Sequence, residues 1–465
     1  MSIARRDFLR TGVAAAAVSA ATSGCNHVSF RPPPKPAGGW DQLPEILARI
    51  VPPQFPARDF VVTDYGAAGD GSTDCCPAFA AAIAACHKAG GGRVVVPAAR
   101  NVYLCNGPIH LLSNVNLHLA QGTVVRFGFD PAFYLPAVLI RYQGIRCYNY
   151  SPLIYANGQT NIAITGSGSF DGQAYHWLDY AARADSDWAL LQQMVANGVP
   201  VERRIFGPGH NLRLTLFEPY GCQNVLVEGV TFMASPFWTL HPCFCTNVTF
   251  RDVNVLPGQT NDDGCDPDSC TDVLVDGCTF NTHDDNFSLK AGAGSDAIGL
   301  APCQNVVIQN CRTIQSLWGG LTIGSDTGSI VEGVFVQDCQ FGPCDYAFYF
   351  KSSSAVGGAV KSVFIRSCNV SSCEQFFTIA SAYNNLQGSM PPLFENINLQ
   401  NVNCGAAQRC AFAILGDSRN PIVYLSLADI AVGPSRVVEA MENAFFVSSS
   451  NVTVGGRPVT IRGVL

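Results

Sequence analysis

Charge is scarce in this sequence: Asp, Glu, Lys and Arg make up 14% of the residues, against 48% that are hydrophobic. That balance excludes a disordered chain, which combines high charge with few apolar residues. Clustered cations are also missing. The net charge is −7 and no long basic run occurs, so nucleic acid is not an expected partner, because phosphate binding needs grouped Lys and Arg. The apolar run at residues 13–21 is far short of the roughly 20 residues that span a bilayer. Gly90-Gly91-Gly92 follows a helical stretch instead of opening one, and no Gly-Lys-Ser/Thr comes after it. A phosphate loop is thereby excluded. Calcium-loop spacing is absent too, and no metal or cofactor is expected.

What is present begins with an address. Arg5-Arg6-Asp7-Phe8-Leu9-Arg10 and the short apolar run after it resemble a twin-arginine export signal over residues 1–25. An exported protein, periplasmic or secreted, is the expectation. Cys25 after Ser23-Gly24 is a candidate for a lipid anchor, although Thr22 stands where lipoprotein signals usually carry Leu. Residues 26–58, rich in proline from Pro32 to Pro56, read as a tether. Residues 59–465 are expected to be the working domain, and a monomer.

That domain is organised by a repeat. One template recurs: two alternating apolar pairs separated by a bend. It fits Val225/Val227/Val230/Phe232, Val248/Phe250/Val253/Val255, Val273/Val275/Cys278/Phe280 and Val306/Ile308/Cys311/Thr313. It continues at Val334/Val336/Cys339/Phe341, Val363/Ile365/Cys368/Val370 and Ile397/Leu399/Val402/Cys404. Successive starts are 23, 25, 33, 28, 29 and 34 residues apart. A constant strand pair with variable spacing argues for an all-β solenoid, a right-handed parallel β-helix, whose insertions fall in turns while its coils stack about 4.8 Å apart. The spacing is too short for propeller blades. The helical stretch at residues 77–88 is expected to cap the open end, and a second one at residues 182–197 to form a rim insertion. Cys278, Cys311, Cys339 and Cys368 share one slot and should form an inward column of small side chains, not a metal site, since parallel side chains do not converge. Other cysteines among the 20, such as Cys344, Cys373 and Cys410, are candidates for disulfides.

The repeat also places acids. Asp263, Asp284 and Asp285 all follow the second strand of their coils, as do Trp318, Tyr349 and Lys351 further on. Stacking should set them along one groove, which suits a linear polymer. Two carboxylic acids about a scissile bond, one protonated and one ionised, are what glycoside hydrolysis needs. Adjacent Asp284 and Asp285 suit that task, because like charges push neighbouring pKa values apart. Alternating strand geometry would turn them to opposite faces, so a bend is required there. Asp-rich turns such as Asn261-Asp262-Asp263-Gly264 also occur for turn geometry alone.

At these residues the chain resembles the polygalacturonase family, glycoside hydrolase family 28. The resemblance runs through Asp64-Tyr65-Gly66, Ser235-Pro236-Phe237-Trp238-Thr239-Leu240-His241-Pro242, Asn261-Asp262-Asp263-Gly264 and His283-Asp284-Asp285. It implies a pectic polysaccharide or oligosaccharide as partner and inverting hydrolysis. Asp284 would be the general acid, Asp263 and Asp285 would activate water, and acid and base would stand roughly 6.5–9.5 Å apart. It also implies substrate contacts at Asn261, His241 and Lys351. The chain departs from the family pattern where Trp318 replaces a histidine, Tyr349 an arginine and His283 a glycine. Trp318 and Tyr349 are expected to offer flat faces to a sugar, with His283 as a new polar group. The departures imply a neutral, branched or substituted pectic substrate, or an exo-acting enzyme taking oligosaccharides. Two other readings stand beside hydrolysis: a carbohydrate-binding β-helix without catalysis, and a calcium-dependent lyase.

Overall fold

The structure is a computed structural model that describes residues 38–464. The expected export signal, Cys25 and the first part of the expected tether lie outside the described residues.

Each template copy is a coil, and its slots are register columns. Val225, Val248, Val273, Val306, Val334, Val363, Ile397 and Leu425 pair in succession through parallel strands. All eight are buried, so the apolar face that one coil cannot cover is covered by the stack. The bends have a local cause. Gly229, Asp252, Gly277, Asn310, Asp338, Ser367 and Asn401 sit between the two halves of the template with φ between 52° and 77°. Glycine enters that left-handed region freely, and Asn or Asp more readily than most residues. A second such position opens each coil, where Asn114, Asn161, Asn224 and Asn247 hydrogen-bond one to the next at 2.8–3.0 Å.

A third strand completes the later coils, and the template did not contain it. Phe287–Leu289, Gly319–Ile323, Cys344–Lys351, Cys373–Ala380, Ala407–Leu415 and Val437–Glu442 form a six-stranded parallel sheet. Single bridges extend it backwards through Cys265 and Leu240 to Phe217–Tyr220. The capping helix, Cys76–Lys88, buries Phe79, Ala82, Ile83 and Cys86 in the main core. At the other end, Ala444–Val454 and Arg457–Val459 form an antiparallel hairpin on the last coil.

Two expectations are corrected. Residues 38–50 are not tether: Leu43–Arg49 is a helix, and Trp40, Leu43, Ile46, Leu47 and Ile50 pack against Leu274, Val307, Phe335 and Phe364 on the outer face of the solenoid. Arg49 anchors it through Asp272 at 3.0 Å. The described cysteines, Cys344, Cys373 and Cys410 included, are all free thiols. Parallel stacking sets neighbours side by side: the Cys373 and Cys404 sulfurs lie 3.7 Å apart. The expected column is present, with Cys339 in hydrogen-bond contact with both Cys311 and Cys368. A second column, unforeseen, runs through Cys222, Cys245 and Cys270, each linked to the next by a backbone N–H donating to sulfur at 3.3–3.4 Å.

The rim insertion is larger than expected. A hairpin of Val138–Tyr142 and Ile145–Asn149, the helix Leu178–Ala196 and the strand Ile205–Phe206 share a separate apolar cluster with Phe237, Trp238 and Ala293. Its hairpin meets the solenoid just past the third-sheet strands, where Arg141 pairs with Asp268 at 2.9 Å and the Ala293 N–H donates to the Gly144 carbonyl at 3.0 Å.

Candidate active site

The acidic residues lie in the turns that lead into the third sheet. Asn261, Asp262 and Asp263 precede Cys265, and His283, Asp284 and Asp285 precede Phe287–Leu289, one coil later. The Gly264 N–H donates to the Asp285 carbonyl at 2.9 Å, which fixes the two turns side by side. Asp262 clasps them. Its carboxylate, 1% exposed, accepts from the backbone N–H groups of Gly258, His283 and Asp284 at 2.7–3.0 Å. Because these residues form a bend, Asp284 and Asp285 need not face opposite ways. Carboxylate oxygens of Asp263, Asp284 and Asp285 all lie within 4.8 Å of one another.

The three acids differ in surroundings. Asp285 is buried and ionically held: Lys351 Nζ lies 3.1 Å away and Thr322 Oγ1 donates at 2.7 Å. Asp263 is 4% exposed and its Oδ2 lies 3.6 Å from Lys290 Nζ. Asp284, half-buried, has no lysine in contact among the described residues; it accepts from Asn261 Nδ2 at 2.9 Å and from the Asp285 N–H at 2.9 Å. Burial, then the Asp285 charge, pushes the Asp284 carboxyl up to about 6. Burial raises Asp263 as well, with Asp266 and Asp284 adding to it and Lys290 pulling back. A partly exposed acid that keeps a proton in mildly acidic solution, in a cluster where Asp263 is raised as well and where Asp263 and Asp285 each face an ammonium group, is an arrangement for general acid–base catalysis.

The spacing differs from expectation. Closest oxygens within 4.8 Å fall below the 6.5–9.5 Å expected of an inverting acid and base. A water accepted by two carboxylates still fits, because two hydrogen bonds of about 2.7 Å at a tetrahedral angle span roughly 4.4 Å. The same oxygens could approach a divalent cation. Two ammonium groups already neutralise them, however, whereas calcium takes six to eight oxygen ligands.

Of the other expected site residues, Asn261 is held in place by Arg213, which donates to its Oδ1 at 2.8 Å. His283 Nδ1 lies 3.0 Å from Asp262 Oδ2 on the half-exposed rim. Trp318 is half-buried, and Lys351 Nζ lies 5.9 Å from its ring centre. Two residues are not where the sequence reading put them. Tyr349 offers no free face: it is 5% exposed, stacked on Tyr346 at 4.0 Å and met edge-on by Tyr383. His241 is fully buried, between Glu218 at 3.4 Å and Asp268 at 3.8 Å. Burial opposes its charge, but those two carboxylates outweigh it and raise the imidazole to about 9. It is a counter-ion beneath the site. Sequence reasoning missed Asp262, Asp266, Lys290 and Arg213. A lone lysine in the apolar stretch Phe287-Ser288-Leu289-Lys290 was the available signal, because a buried lysine needs a charged partner.

A model of the family described as glycosyl hydrolases family 28 matches residues 214–450. A hyperthermoactive exopolygalacturonase from Thermotoga maritima is 34% identical, with a TM-score of 0.86 over 91% of this chain and 98% of that one. A family 28 exopolygalacturonase from Yersinia enterocolitica, at 22% identity, shares the fold with a TM-score of 0.73 over 86% of this chain and 75% of that one. An exo-poly-alpha-D-galacturonosidase of Dickeya chrysanthemi is 25% identical over 455 residues, 86% of this chain and 74% of that protein. A probable polygalacturonase of Vitis vinifera is 25% identical over 299 residues, 61% of this chain; the match spans 54% of the grape protein's length. Like the polygalacturonase structures it resembles, the solenoid is a right-handed parallel β-helix.

Proposed function

The chain belongs to the glycosyl hydrolases of family 28, and from that premise we propose that it hydrolyses glycosidic bonds of pectic oligosaccharides from a chain end, with inversion. One observation carries the proposal: three aspartates from two adjacent turns meet within 4.8 Å, and the acid free of a lysine is the half-buried one. Asp284 protonates the leaving oxygen. Asp263 and Asp285, each beside an ammonium group, take the proton of the attacking water.

Action at a chain end is supported by the rim insertion, whose neighbour Arg213 stacks on Phe237 of the same cluster and reaches Asn261 beside the acids. The relatives named as exopolygalacturonases agree with it. Of the two substrate readings from the sequence, an oligosaccharide taken from its end is the better supported. The neutral-sugar reading rested on two aromatic faces, and Tyr346 covers one of them. Trp318 keeps that second reading open, since its indole is half-exposed beside the site. We also infer export, from Arg5-Arg6 and the run after them.

Mass spectrometry of products from a panel of galacturonides, rhamnogalacturonides and neutral pectic oligosaccharides tests the reading. Release of single galacturonic acid units, one at a time, is expected. Unsaturated products that absorb in the ultraviolet and vanish with chelator would instead assign the site to a lyase, and binding of every oligosaccharide without turnover would assign it to a binding module.

A further inference from the structure

We propose that Lys290 is the positioning residue that keeps Asp263 ionised as a base, and that Asp266, sharing the same ammonium, limits how strongly it does so. The inference rests on the hydrolase reading above and deepens it.

Lys290 leaves the third sheet at Leu289 and turns beneath the acidic turns. Its Nζ lies 3.6 Å from Asp263 Oδ2 and 3.3 Å from Asp266 Oδ1, donates to Ser288 Oγ at 2.7 Å, and sits 4.2 Å from the centre of the Trp238 ring. The side chain is 4% exposed. Two carboxylates and an indole face therefore compete for one buried cation. Asp263 depends on it: among the described residues no other cation lies within ion-pair distance of that carboxylate, and its Oδ1 has no hydrogen-bond partner. A carboxylate so buried ionises only against a compensating charge.

The remaining charges around the pair are Asp284 and Asp285 facing Asp263, Asp326 and Asp285 facing Lys290, and His241 and Asp285 facing Asp266. Most are anionic, and they hold Lys290 charged although burial opposes it. Burial lifts Asp266 itself to about 7, with Lys290 and His241 pulling it down. Asp266 therefore competes for Lys290 only in its charged form.

A lysine that only fills and pairs in the core would lower activity or stability without moving the pH dependence. A lysine that sets the base must move it, and the competing carboxylate must move it the other way. The test compares Lys290→Met, Lys290→Arg and Asp266→Asn in the full chain, using a galacturonide trisaccharide as substrate. Lys290→Met is expected to shift the acidic limb of kcat/KM upward by about one pH unit or more, because a base with a raised pKa ionises only at higher pH. kcat should fall by roughly 100-fold with KM little changed. Lys290→Arg should keep the parent limb, and Asp266→Asn should move it to lower pH. An unmoved limb in both Lys290→Met and Asp266→Asn, or a shift of the same sign, overturns the proposal.

Direct titration of Asp263 separates this from the hydrolase reading. With aspartate labelled at Cγ and Asp263→Asn assigning the resonance, the Asp263 midpoint should rise in Lys290→Met and fall in Asp266→Asn. A parent that turns over no oligosaccharide while these midpoints move overturns the function and keeps the proposal. An active parent whose midpoints stay fixed does the reverse. Should Lys290→Met fail to fold, Asp266→Asn carries the test alone.

Discussion

At the scale of single residues, the site works by giving similar side chains different neighbours. Asp285 faces an ammonium group at 3.1 Å and Asp284 faces an amide, and burial with the Asp285 charge pushes the Asp284 carboxyl up. A pH dependence follows. The acid must be protonated, and burial with the Asp285 charge places its midpoint at about 6. kcat/KM should therefore fall as pH rises through about 6, approaching tenfold per unit above it, with activity confined to mildly acidic solution. A profile that stays flat to pH 8 contradicts this assignment. Removing the Asn261 amide weakens a bond to the charged form of Asp284, so Asn261→Ala should move the same limb to higher pH. The three aspartates were legible because the repeat gave their place in each coil. Asp262 was not, and Lys290 showed only as a lone lysine in an apolar stretch. Counting residues along a coil locates a segment, but it does not say which side chain turns under it.

At the scale of elements, the same limit appears in two forms. The third strand was missed because its residues are buried on both faces: every residue of Phe287–Leu289 and Gly319–Ile323 is buried, which erases the period-two alternation that reveals a half-covered strand. The N-terminal helix was missed because proline composition was weighed above spacing. Leu43, Ile46, Leu47 and Ile50 stand at the i, i+3, i+4, i+7 positions of an amphipathic helix. That helix covers an apolar stripe of four successive coils, at Leu274, Val307, Phe335 and Phe364. Ile46→Ala should destabilise by about 2–4 kcal/mol, read as a lower denaturant midpoint. Removal of residues 38–50 should expose the stripe to a hydrophobic dye. Unchanged dye binding after that truncation would show that the helix does not cover the stripe in solution.

At the scale of the whole molecule, a repeat with variable spacing identified the solenoid, and insertions of different length were tolerated because each falls in a turn outside the stack. The cysteines have a molecular consequence as well. Stacked coils hold described thiols as packing groups, so the stability of the described domain does not depend on cross-links. A reductant should leave the melting temperature within a degree or two of its value without reductant. A drop of ten degrees would reveal bridges between thiols that stand free in the structure, such as Cys373 and Cys404. The rim insertion, in contrast, was legible only as a short helix, since its hairpin and its cluster with Phe237, Trp238 and Ala293 depend on contacts between residues far apart in sequence.

The claim on which the rest stands is that Asp263, Asp284 and Asp285 act together on one glycosidic bond. Proton NMR of a galacturonide oligosaccharide, followed from the first turnovers with the parent and with Asp284→Asn, tests it most directly. The account predicts that the parent first releases sugar of the anomeric configuration opposite to that of the cleaved bond, and that Asp284→Asn slows release by 10²-fold or more while still binding the oligosaccharide. Retained configuration would contradict the water-activating roles of Asp263 and Asp285, and undiminished release by Asp284→Asn would contradict the site itself.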